Sequence, residues 1–149
     1  MPRTYTNLLT HIIFSTKNRL PQIRAEMKRD LHAYLWGIAT KTAGVPVAIN
    51  GMPDHVHLLI SLRPDVSASE AVRVLKSNSS KWAHEELGQP RFAWQLGFSA
   101  FSVSKSNVAA VAKYIAEQEE HHQKMTFQHE LISFLKKNGI EYDERYIWQ

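Results

Sequence analysis

In the segment GMPDHVHLLI at 51–60, His55 and His57 are separated by a single residue. Residues two apart in an extended strand point to the same side, so both imidazoles face one way while Val56, Leu58 and Ile60 face the other. Two neighbouring imidazoles can chelate one divalent ion, but a bare His-x-His also suits ordinary strand histidines. A second set of groups comes from VAKYIAEQEEHH at 111–122. Tyr114 and Gln118, four apart, project together from a helix, offset from the apolar stripe of Val108, Val111, Ala112 and Ile115. A phenol and an amide oxygen are thereby offered side by side.

Two imidazoles and one amide oxygen leave about three positions open on a six-coordinate Mg2+ or Mn2+, enough to bind and polarise a phosphate. A tyrosine beside such an ion can attack phosphorus. Its pKa of ~10 makes it a weak nucleophile at neutral pH unless a cation or base favours the phenolate. The product, a phosphotyrosine ester, conserves the phosphodiester energy for rejoining. His121 and His122 follow on the same helix, and His122 is the reserve ligand should Gln118 not serve. His11, His32, His84 and His129 read as structural or surface residues. Asp54 is the only acid near the pair, placed to cap the turn or orient an imidazole.

These groups need elements to hold them. The alternation of Leu8, Ile12 and Phe14 predicts a strand over 5–15, and Ile23, Met27, Leu31, Leu35 and Ile38 predict a helix from Pro21 to Gly44. Val45, Val47 and Ile49, the turn GMPD and HVHLLISL at 55–62 form a hairpin. Ser67 and Glu70 have capping-box spacing ahead of a helix ending near Gly88. The aromatic run at 92–104 reads as a strand bent near Gly97, where the apolar parity shifts. A third long helix follows the candidate caps Ser106 and Asn107, and a final one runs from Phe127 to Asn138 with Gly139 as its stop. The order β-α-β-β-α-β is that of an α+β, ferredoxin-like (RRM-like) fold: an antiparallel sheet with helices on one face, then a C-terminal tyrosine-bearing helix and a short final helix. One domain is expected over 1–149, without linker or repeat.

The 149 residues are 44% hydrophobic and 21% charged, ordinary globular usage. No run is long and apolar enough for a membrane span, and the N-terminus has no signal core, so the cytoplasm is expected. The absence of cysteine excludes disulfides, thiolate metal sites and thiol catalysis. Net charge is +4, distributed as +5 over residues 1–50, +2 over 51–116 and −3 over 117–149. A basic first third suits a polyanionic partner.

With these residues in view, the sequence resembles the single-tyrosine HUH transposases (TnpA-like) of small bacterial insertion sequences that move as single-stranded DNA. The resemblance covers nearly the whole chain, through HIIFSTKNR, GMPDHVHLLI, LKSNSSKW, GFSAFSVS, YIAEQ and the closing GIEYDERYIW. It implies that His55, His57 and Gln118 hold a divalent metal, Mg2+ or Mn2+, and that Tyr114 is the catalytic nucleophile. It further implies a metal-dependent single-strand endonuclease and strand transferase that leaves a 5′-phosphotyrosyl link and a free 3′-OH at hairpin-marked element ends. The implied partners are single-stranded DNA with imperfect hairpins and a second copy of the chain, in a homodimer whose active sites are completed in trans. Arg19, Arg73, Lys76, Lys81 and Lys105 are the candidate DNA-binding cations. The alternatives are a non-catalytic or domesticated single-stranded nucleic-acid-binding module of the same fold, and a hydrolase whose metal activates water. The intact Tyr114 weighs against the first; the lack of clustered acids beside the histidines weighs against the second.

Overall fold

A computed structural model describes residues 3–149. Strands β1 (Leu9–Ser15), β2 (Gly44–Met52), β3 (His55–Leu62) and β4 (Ser99–Ser102) form one sheet in the order β2-β3-β1-β4, every neighbouring pair antiparallel. Helices α1 (Ala25–Thr42) and α2 (Ala68–Glu86) cross between them, and α3 (Val108–Ala116), α4 (Gln118–His121) and α5 (Phe127–Lys137) follow. This is the expected ferredoxin-like arrangement.

The period-two pattern sorts the strands into two faces. Ile12, Phe14, Val56, Leu58 and Ile60 pack with Met27, Leu31 and Leu35 of α1 and Val72 and Leu75 of α2 in the larger core. Ile13 and Phe101, of opposite parity, pack with Phe127, Leu131 and Leu135 of α5 in a smaller cluster. Both faces of the sheet are therefore covered, the second by the C-terminal helices.

Local chemistry accounts for the boundaries. Ser67 Oγ accepts the Glu70 N–H at 3.1 Å and caps α2, while the Glu70 carboxylate turns to Arg73 instead of closing the capping box. Thr126 Oγ1 accepts from His129 N–H at the start of α5, and Gly139, at φ +66°, follows its end. At Gly51 a side chain would collide with the His55 carbonyl, so glycine lets β2 close on β3. A bulge between Pro46 and Ala48 on the edge strand lets it carry a proline.

Strand β1, helix α1 and the strand expected over 92–104 are shorter than the sequence predicts. β1 starts at Leu9 because its partners run out there: Leu9 lies opposite Ser61, near the end of β3. Residues 21–24 precede α1 in non-helical conformation, with Arg24 extended and Ile23 N–H bonded to the Pro53 carbonyl. In the 92–104 segment only Ser99–Ser102 pairs as a strand, apart from a lone bridge between Thr16 and Trp94. Along this stretch the Lys76 ammonium donates to the carbonyls of Gln95 and Gly97, at 2.8 and 2.5 Å.

Candidate active site

β3 presents His55 and His57, both fully buried, to the face opposite the α1/α2 core. Each ring is held from behind. His55 Nδ1 lies 2.7 Å from Asp54 Oδ1, as expected of an orienting acid, and His57 Nδ1 lies 2.8 Å from Nε2 of buried His11. Both Nε2 atoms are thereby turned into the site, the usual arrangement for imidazoles that are to act as ligands. Gln118 Oε1 is 3.1 Å from His55 Nε2, so the predicted trio of His55, His57 and Gln118 does come together.

At the centre stands a group the sequence reading missed. Glu130, on α5 and 1% exposed, places Oε1 2.9 Å from His57 Nε2, 3.1 Å from His122 Nε2 and 3.4 Å from His55 Nε2. Its Oε2 accepts the Tyr114 hydroxyl and, at 3.2 Å, the Gln118 amide. The expectation that Asp54 is the only nearby acid is thus corrected. The signal was present: in FQHELISFL, Glu130 interrupts the stripe of Phe127, Leu131 and Phe134, and a carboxylate on an apolar helix face needs buried partners.

The electrostatics follow from this packing. Burial lowers His57 to about 4 despite Glu130, and lowers His11 to about 3, so both rings are neutral near pH 7. Burial also opposes charge on His55, but Asp54 and Glu130 outweigh it and raise that ring above its ordinary value. For Glu130, burial favours the acid form, yet hydrogen bonds from His122, His55 and His57 hold the carboxyl well below the usual range. Burial, reinforced by Glu130, pushes the Tyr114 phenol up. The phenol is therefore kept neutral near pH 7.

Tyr114 and Gln118 do not share one continuous helix. α3 ends at Ala116 and α4 begins at Gln118, with Glu117 between them at φ −97°, ψ 25°. Asn50 Nδ2 donates to the Ala116 carbonyl at 3.1 Å, capping the break. Of the predicted stripe on α3, only Ile115 is buried. The His121 ring stacks on Tyr114 at 4.1 Å, and the Tyr114 ring lies 6.1 Å from His57 of its own chain. Phenol and imidazoles thus meet within the one chain described.

The candidate DNA-binding cations are dispersed. Arg19 lies over the Trp148 ring at 4.8 Å, Arg73 pairs with Glu70, and Lys76 is engaged by the carbonyls described above. Lys81 and Lys105 are exposed. Two clefts reach the site: one of about 390 Å³ lined by Tyr114, Glu130, Asn107 and Lys137, and one of about 730 Å³ lined by Asp54, His122, Arg19 and Lys124. Of the remaining histidines, His32 is buried, while His84 and His129 are exposed. No helix among the described residues is long and apolar enough to cross a membrane.

Residues 4–118 match the family model described as "Transposase IS200 like". The ISDra2 transposase TnpA of Deinococcus radiodurans is 28% identical over 116 residues, which span 74% of this chain and 83% of that protein. The transposase for insertion sequence element IS200 of Salmonella typhimurium is 27% identical over 126 residues, 80% and 82% of the two chains. A crystal structure assigned to a transposase from Deinococcus radiodurans superposes with a TM-score of 0.61 at 30% identity, over 79% of this chain and 96% of that one. A REP-associated tyrosine transposase bound to a REP hairpin superposes with a TM-score of 0.62 at 17% identity, over 82% and 73%, and shares the fold. The match to the family model ends at Gln118, so His122 and Glu130 lie beyond it.

Proposed function

The chain belongs to the IS200-like transposase family, and on that premise we propose that it cuts and rejoins single-stranded DNA with Tyr114 as nucleophile and a divalent cation held by His55, His57 and Gln118. The observation that carries this reading is the convergence, within one chain, of the Tyr114 hydroxyl and the Nε2 atoms of both histidines on a single carboxylate. The donor set fits a divalent ion: two Nε2 atoms and an amide oxygen point inward, while both Nδ1 atoms are already engaged. When bound, the ion supplies Lewis-acid polarisation of the scissile phosphate, and Mg2+ or Mn2+ suits that task.

The chain's own groups do the rest. The Tyr114 oxygen forms a bond to phosphorus as the bond to the 3′ oxygen breaks. The proton given up by the phenol is balanced by the one the departing oxygen takes up to end as a free 3′-OH, and the 5′ side remains on Tyr114. Attack of another 3′-OH on that ester reverses the step, with no external energy source. Packing of His121 against the phenol limits its rotation before attack. Hairpin-bearing single strands are the substrate class, supported by the hairpin bound to the REP-associated neighbour, and Arg19, Lys81 and Lys105 are cations for its backbone. Homodimer formation and a cytoplasmic setting belong to the same reading.

Incubation with a single-stranded hairpin oligonucleotide and Mg2+ or Mn2+ tests it. A covalent protein–DNA adduct that disappears in Tyr114→Phe is expected. Turnover without an adduct, surviving Tyr114→Phe, would instead establish a water-activating hydrolase, for which Glu130 supplies the acid that the sequence seemed to lack. Hairpin binding with no cleavage would establish a binding module.

A further inference from the structure

Glu130 stands twelve residues beyond the end of the family match, on a helix the family model does not cover. We propose that Glu130 is an additional, anionic ligand of the cation, so that this chain holds the ion with two imidazoles, one amide and one carboxylate. The inference rests on the cation reading above and goes beyond it in assigning the C-terminal helix a place in the metal centre.

Geometry is the first support. Glu130 Oε1 lies within 3.4 Å of the Nε2 atoms of His55, His57 and His122, at the point those rings share. Its other oxygen, Oε2, accepts the Tyr114 hydroxyl, so the same carboxylate would join the phenol to the metal centre. His122, 3.2 Å from Gln118 Oε1 and 3.1 Å from Glu130 Oε1, orients both oxygens. Burial is the second support. A carboxyl group 1% exposed needs a partner for each oxygen, and a divalent ion at the point shared by His55, His57 and His122 supplies one to Oε1 directly.

The anchoring of α5 is the third support, and it separates a ligand from a removable stopper. Phe127 stacks on His55 at 4.1 Å, and Phe127, Leu131 and Leu135 share a buried cluster with Ile13 and Phe101. The chain then returns to the irregular segment that precedes β4, where the Gln149 carbonyl accepts from Gly97 N–H and Gln95 Nε2, each at 3.0 Å. A segment fixed at both ends suits a permanent part of the centre. Donor chemistry adds a selectivity: imidazole nitrogens with one carboxylate favour a first-row transition ion such as Mn2+ over Mg2+.

The test is Mn2+ titration of the metal-stripped full chain, by calorimetry and by the electron paramagnetic resonance of unbound Mn2+. Wild type should take up Mn2+ and His55→Ala should not. Glu130→Gln should weaken binding by roughly 100-fold, more than the ~10-fold expected for Gln118→Ala, since a neutral amide is the weaker ligand. If Glu130→Gln binds as tightly as wild type, or more tightly, while His55→Ala still fails, the carboxylate competes with the ion and the inference falls with the cation reading intact. If wild type takes up no Mn2+, or His55→Ala matches it, the cation reading falls and takes the inference with it. Should Glu130→Gln fail to fold, Glu130→Asp decides: weakened binding supports the assignment, and unchanged binding overturns it.

Discussion

The two faces of one sheet are built by opposite rules. Toward α1 and α2, β3 contributes Val56, Leu58 and Ile60 to a core that is almost entirely apolar. One position out of step, the same strand contributes His55 and His57 to a pocket where each inward Nε2 meets an oxygen. On the first face the requirement is volume, and many sequences satisfy it. On the second it is a partner for each buried polar atom, which few do. The dry face stores stability and the polar face stores chemistry, so substitutions on the two should separate those properties.

The largest separation is expected for Tyr114→Phe. On the proposed function, removing the Tyr114 hydroxyl should cut strand transfer by roughly 10^4-fold or more, read as lost adduct on a denaturing gel, with the thermal melt close to wild type. An inverse profile is expected on the other face. Leu31→Ala or Leu75→Ala, both fully buried, should cost about 2–5 kcal/mol in urea unfolding, with cleavage per folded molecule unchanged. Loss of cleavage in a fully folded Leu75→Ala protein would contradict the division.

Acid should reveal the polar exception on the dry side. Burial, aided by the charge on Lys28, lowers His32 from 6.5 to about 4, so the unfolded chain binds a proton that the folded chain refuses within that window. Its contribution is complete above pH 6.5 and is lost as pH falls toward 4, with a slope approaching about 1.4 kcal/mol per pH unit. Melts across that range should show a shallower dependence in His32→Leu. Ser67→Ala, which removes the α2 cap, should cost about 1 kcal/mol by chemical denaturation. Arg73→Ala, breaking an exposed pair with Glu70, should leave stability unchanged within error.

What could be read in advance divides along the same line. The imidazole side of β3, the Ser67 cap and the Gly139 stop are consequences of local spacing, and all are found where spacing puts them. The break at Glu117 is not local: Gln118 is engaged at His55 while Asn50 caps Ala116 from another strand, and four-residue spacing contains neither contact. The irregular stretch 92–98 is likewise bonded by Lys76, nineteen or more positions from the carbonyls it meets. Glu130 was legible as an acid within an apolar stripe, but its destination required knowing that α5 returns over β3. His11 shares its parity with Ile13, the side of β1 that the alternation of Ile12 and Phe14 leaves unused.

Asn50 links these scales. It lies opposite His57 in the β2–β3 ladder, and its amide closes the end of the tyrosine helix. Losing or gaining a single codon between Asn50 and the turn at 53–54 would turn that amide to the sheet's other surface, because side chains alternate. A lineage could therefore disarm its enzyme by a length change in an edge strand while keeping every reactive residue, and a motif search would still score the silent copy as intact.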